Sequence, residues 1–142
     1  MDKKYIDANI FIQGILREDN KYQDIILKIA NKKFVGVTSV LSWDEIVFVV
    51  RKFLGNDIAK REGGKFFRLP NFIFADVKRE IVIRAQKLVE EYDLKPRDAI
   101  HAATAIHLNI KEIISEDADF DHVNGLKRID PIDVQYRKNK GA

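Results

Sequence analysis

KPRDAIHAATAIHLNIKEIISEDADF, residues 95–120, holds a helix and then a strand, with an acid at the start of the first and another past the end of the second. Pro96 falls just before or at the helix start, where its locked φ fits and its missing N–H costs nothing. Asp98 lies in the first turn, a place the helix dipole favours for an anion. The alanines that follow allow close packing. KEIIS, residues 111–115, is a short β-rich run, and the turn-prone SEDADF that overlaps its end carries Asp117 and Asp119.

Outward from this stretch the alternation repeats. Lys3 to Asp7 reads as a strand and Ala8 to Leu16 as a helix with Ile10, Phe11 and Ile15 on its apolar side. FVGVT, residues 34–38, is a further strand. Ser39 or Ser42 caps a helix with Trp43, Ile46, Val47 and Val50 on its apolar face, ended by Leu54-Gly55. Residues 56–69 are basic and helical, interrupted at Gly63-Gly64, and suit a clip over the path of a substrate. NFIFAD after Pro70 is a strand; Ile81, Ala85, Leu88 and Tyr92 then recur at i, i+4, i+7 and i+11 on one helix face. LKRID supplies a last strand. The pattern predicts an α/β fold, three layers α/β/α, around a short, mostly parallel central sheet.

Residues 1–134 are expected to form a single domain, and the basic run from Gln135 (QYRKNKGA) a frayed tail. A chain of 142 residues suits one core and buries roughly 70% of the surface its unfolded form exposes. Cysteine is absent, so disulfides, thiolate catalysis and Cys-based zinc sites are excluded. Asp7 and Asn9 interrupt the apolar N-terminal run, so neither a signal peptide nor a spanning helix fits; the expected setting is the cytoplasm. The net charge of +3, from 25 basic and 22 acidic residues, tilts modestly toward a polyanionic partner.

Asp7, Glu45, Asp98 and Asp117 each fall where a strand ends or a helix begins, and in an open α/β sheet such positions converge on one crevice. Taken singly, Asp7 and Asp98 read as helix-start acids and Asp117 as a turn acid. Glu45 is harder to dismiss, since LSWDEIVFVV is otherwise apolar and an acid beside a buried face needs a partner. Periodicity alone leaves open whether Asp44 or Glu45 points inward. Four carboxylates crowded together require a divalent cation to stay ionised, and all-oxygen donors suit Mg²⁺ or Mn²⁺.

YIDANIFI, the mid-chain Glu45, KPRDAIHAATA and IISEDADF resemble, in order, the four acidic motifs of the PIN-domain nucleases, most closely the VapC toxins of toxin–antitoxin pairs. The resemblance implies that Asp7, Glu45, Asp98 and Asp117 are catalytic and hold the metal. It implies supporting roles for Asn9 and Ser115, whose polar groups orient carboxylates or water, with Asp119 as an outer ligand or a turn acid. The implied activity is metal-dependent endoribonuclease hydrolysis of RNA, with a small antitoxin and a homodimer as expected partners and no membrane. A non-catalytic module binding RNA or protein, and a nuclease for DNA or structured substrates, are the alternatives. Lys95 and Arg97 flank Asp98 and read either as a phosphate-holding pair or as a solvated loop. His101, on the same side of its helix as Asp98, reads as a satisfied packing histidine, and His122 as exposed.

Overall fold

Tyr5 and Ile6 are neighbours in the chain, both fully buried, and they enter the cores on opposite faces of one sheet. Ile113 and Ile114 repeat the pattern one strand over. Strands apolar on both faces need helices on both sides. The computed structural model describes residues 1–18 and 20–134; the tail expected from Gln135 lies outside them.

In chain order the elements are β1 (Lys3–Ile6), α1 (Ala8–Leu16), α2 (Asn20–Ala30), β2 (Val35–Ser39), α3 (Leu41–Leu54) and α4 (Asn56–Phe66). They continue with β3 (Phe72–Ala75), α5 (Arg79–Tyr92), α6 (Pro96–His107), β4 (Glu112–Ile114), a 3₁₀ turn (Ala118–His122) and β5 (Lys127–Ile129). The five strands lie in the order β3-β2-β1-β4-β5 and every pairing is parallel. Tyr5 sits level with Val37 on one side and Ile113 on the other. Helices α1 to α4 cover one face through Ile10, Ile25, Ile46 and Phe66, and α5 and α6 cover the other through Ile81, Leu88 and the alanines of α6. This is the three-layer α/β/α arrangement, with a sheet parallel throughout.

The order places a topological switch at β1. The chain leaves β1 toward β2 and β3, then returns to lay β4 and β5 on the opposite side. A crevice therefore opens at the carboxyl ends of β1 and β4, where such folds bind ligands.

Three local expectations are corrected. Gly63-Gly64 does not interrupt α4, which runs unbroken from Asn56 to Phe66. Gly63 is buried against α3, where a Cβ would come within 2.8 Å of Val47 and 3.1 Å of the Trp43 indole nitrogen, so glycine serves close helix approach there. Trp43 is not on the buried face of α3; it is 42% exposed, while Ser42, Ile46 and Val50 turn inward. Helix α3 has no side-chain cap at its N-cap Val40. Instead the Ser39 hydroxyl, one residue earlier, accepts the Leu41 amide at 3.0 Å, and Ser42 hydrogen-bonds Thr38 at 2.7 Å.

Phe66 lies in the core, while its neighbour Phe67 is exposed. Phe66 packs edge-on against Phe11 and Phe74 with centroids 5.4 and 5.0 Å apart.

Candidate active site

Asp7 is the residue immediately after β1 and the N-cap of α1, with its amide donating to the Ile114 carbonyl across the sheet. Ser115 follows β4 in the same way, its amide held by Ile129. Neighbouring parallel strands thus deliver an acid and a hydroxyl side by side. The Ser115 hydroxyl donates to Asp7 Oδ2 at 2.6 Å, and both residues are buried. Ser115 Oγ in turn accepts the Asp117 amide at 2.9 Å and the Asn9 side-chain amide at 3.3 Å. Asn9 Oδ1 is buried and, among the described residues, the one side-chain polar atom so placed without a partner.

Asp98 comes from the first turn of α6, opened by Pro96. Asp117 caps the 3₁₀ turn, its carboxylate accepting the Asp119 amide at 2.9 Å. One ligand atom from each of Asp98, Asp117 and Asp119 lies within 4.8 Å of the others. Asp119, read from sequence as an outer ligand or turn acid, stands level with the other two. Burial raises the Asp98 pKa to about 7, aided by a hydrogen bond with Asp117 and by the charges of Asp7 and Asp117. Burial likewise raises Asp7, opposed by His101 and by the Ser115 hydroxyl. Oxygen donors this close, whose mutual repulsion favours a bound proton, fit a hard divalent cation in its place.

Glu45 joins the site through a histidine. It is the half-buried acid of α3, whereas Asp44 is exposed on the surface. His101 Nε2 lies 2.6 Å from Glu45 Oε1 and 3.9 Å from Asp7 Oδ1. His101 Nδ1 lies 2.6 Å from the Tyr5 hydroxyl, which accepts the Ser39 amide at 3.1 Å. Burial would lower the His101 pKa, but the Glu45 hydrogen bond and the charges of Asp7, Glu45 and Asp98 outweigh it and raise it. His101 is satisfied, as its sequence position suggested, but satisfied by the acids themselves; its link to Glu45 has no sequence signal, because the two residues lie on different helices. Tyr5, whose hydroxyl completes the link, reads from sequence only as a strand residue.

Lys95 and Arg97 are exposed beside this crevice. Arg97 pairs with Asp44 at 3.4 Å, tying the start of α6 to that of α3. Away from the acids, an apolar groove of about 560 Å³ runs between α1, α2 and the α3–α4 pair, lined by Ile10, Phe11, Ile15, Leu54 and Ile58 with Arg61 and Lys65 at its edge.

The sequence matches the PIN domain family over residues 4–126, and the chain belongs to that family. The fold is shared with solved toxin–antitoxin structures. A DNA-bound VapBC from Salmonella typhimurium aligns with a TM-score of 0.73 and 15% identity, over 92% of this chain and 99% of that one. VapC20 of Mycobacterium tuberculosis, described as a sarcin-ricin loop cleaving toxin, aligns with a TM-score of 0.69 and 16% identity, over 82% and 92%. A toxin–antitoxin complex from Klebsiella pneumoniae gives 0.66 and 21%, over 90% and 97%. No curated protein matches the sequence. Among the described residues, no helix is long and apolar enough to cross a membrane.

Proposed function

We propose that this chain is a divalent-metal-dependent endoribonuclease, the toxin of a toxin–antitoxin pair, with Asp7, Glu45, Asp98 and Asp117 as its catalytic acids. The observation that carries the reading is the convergence of Asp98, Asp117 and Asp119 within 4.8 Å beside Asp7, at the switch point of the sheet. Membership of the PIN domain family supports it. Asp7, Glu45, Asp98 and Asp117 would hold Mg²⁺ or Mn²⁺, with Asp119 within reach of Asp98 and Asp117 as a further oxygen donor. A cation held there would supply polarisation of a phosphodiester and offset of its charge. The chain's own groups do the rest. Ser115 fixes Asp7 and the backbone of Asp117 through one hydroxyl, and Asn9 holds that hydroxyl in turn. Lys95 and Arg97 offer phosphate contacts at the rim.

An antitoxin is the proposed partner, by likeness to the complexes named above, and the apolar groove between α1, α2 and the α3–α4 pair is suited to receive it. Phe48 and Phe53 on α3, 62% and 64% exposed, suit the interface of a homodimer, the proposed working form, with the cytoplasm as its proposed setting.

The test is cleavage of a panel of single-stranded and structured RNAs, with single-stranded DNA alongside, in Mn²⁺. The expected result is RNA cleavage that disappears with chelator and in Asp98→Asn and Asp7→Asn. RNA binding without cleavage by folded protein would instead favour a non-catalytic module, and cleavage of the DNA alone would reassign the substrate.

A further inference from the structure

Tyr5 and His101 are fully buried, and neither is among the acids assigned above. They form one line of hydrogen bonds that links the end of β2, β1, α6 and α3. The Ser39 amide at the end of β2 donates to Tyr5 Oη at 3.1 Å; Tyr5 Oη meets His101 Nδ1 at 2.6 Å; His101 Nε2 meets Glu45 Oε1 at 2.6 Å. An ionised carboxylate only accepts, so Nε2 must carry a hydrogen. In a neutral imidazole Nδ1 is then bare and accepts the Tyr5 proton, while the Tyr5 oxygen accepts from Ser39. Every donor has an acceptor. In an imidazolium Nε2 still carries its hydrogen, so the bond to Glu45 survives either charge state.

We propose that Tyr5 and His101 are positioning residues: together they hold Glu45 against the acid cluster, occupying one of its carboxylate oxygens and leaving the second for the cation. The inference rests on the metal-site reading above. Among the acids of the site, Glu45 is the one that α3 supplies, so it needs such a device. Asp7 is fixed by Ser115, and Asp117 by its own turn, but the hydrogen bond from His101 is what ties Glu45 to α6. Packing alone is a weaker account. The Tyr5 and His101 rings meet edge-on with centroids 5.6 Å apart, an arrangement that phenylalanine at residue 5 would keep. The 2.6 Å separations at both ring nitrogens ask for donors and acceptors, which packing does not.

The experiment is calorimetric titration of Mn²⁺ alone into the full chain, for the wild type, Tyr5→Phe, His101→Leu and His101→Gln, each checked for folding in chelator. His101→Leu is expected to weaken Mn²⁺ binding about 10- to 100-fold, the usual cost of losing an outer partner of a metal ligand. His101→Gln should recover most of that loss, because its amide N–H stands in for Nε2–H, and Tyr5→Phe should fall between. Wild-type affinity in a folded His101→Leu protein, or His101→Gln no better than His101→Leu, would overturn the proposal. Should His101→Leu not fold, the ¹⁵N spectrum of the wild-type His101 ring decides: hydrogen on Nε2 is expected, and a bare Nε2 would overturn it. A wild type that fails to bind Mn²⁺ brings down the metal-site reading and this proposal with it. Unchanged binding in the variants brings down the proposal alone.

Discussion

Asp98 carries the clearest consequence at the scale of one residue. Its carboxyl is raised from 3.8 to about 7 by burial, by the Asp117 hydrogen bond and by neighbouring acids. The folded chain therefore binds more protons than the unfolded one between about pH 4 and about 7, and metal-free stability falls as pH rises through that window. Asp7, raised from 3.8, adds to the same slope, and His101, raised from 6.5, continues it with the same sign above about pH 6.5. A cation displaces the proton, so Mn²⁺ affinity should climb across the window and level off above about 7. Asp98→Asn removes the repulsion along with the ligand. In chelator at pH 8 it should be more stable than the wild type, by on the order of 1 kcal/mol once solvent screening of a half-exposed group is allowed for, and so unfold at a higher temperature. It should also lose the stabilisation that Mn²⁺ gives the parent. A lower melting temperature in chelator would show that Asp98 is stabilising where it stands. Most of these acids were legible in the sequence because strand ends and helix starts are legible. Glu45 against Asp44 was not, since adjacent helix positions differ only in which neighbour they meet; His101 and Tyr5 are connected only by the fold.

Among the elements, α4 shows where sequence punctuation misleads. A pair of glycines in a basic run reads as a break, yet a helix tolerates glycine when a neighbouring helix needs the room. The two glycines differ in what surrounds them. Gly63 faces Val47 and Trp43 of α3, and an added Cβ would sit 2.8 Å from a β-branched side chain with little freedom to turn. Gly64 points outward, with its nearest neighbour the end of Arg68 at 3.7 Å. Gly64→Ala should stabilise the chain by about 0.5–1 kcal/mol through helix propensity. Gly63→Ala gains the same propensity but crowds the interface, and overpacking costs about 1–3 kcal/mol, so the net change should be destabilising. Denaturant midpoints for the two variants check the pair, and equal stabilisation by both would mean that α4 does not pack on α3 through Gly63. Strand and helix identities elsewhere followed the apolar periodicity closely. β2 starts one residue later than its sequence pattern, at Val35; Phe34 is buried in the core and its carbonyl accepts the Asn71 side-chain amide.

Over the whole molecule, the distribution of charge matters more than its total. The net charge is only +3, but Asp7 lies within electrostatic reach of Glu45, and Asp98 within reach of Asp7 and Asp117, so the rest of the surface is more basic than the sum. On the proposed reading, a phosphate backbone would be repelled at the acids until a cation neutralised them, and attracted by the rim. Binding and cleavage should therefore respond differently to ions: added salt weakens binding by screening the rim, whereas chelation removes cleavage at the centre. Lys95 and Arg97 are the rim cations nearest Asp98 in the chain. The exposed Arg97–Asp44 pair, at 3.4 Å, is worth about 1 kcal/mol or less and is readily exchanged for a phosphate. Replacing Lys95 and Arg97 together by alanine should weaken RNA affinity and lower the slope of log affinity against log salt by about 0.7 for each phosphate of a single strand that is no longer neutralised. Measuring the slope with Asp98→Asn protein separates binding from cleavage. An unchanged slope would make both residues part of a solvated loop and move the phosphate-holding role to the basic side chains of α4, Lys60, Arg61 and Lys65, whose replacement should then lower it.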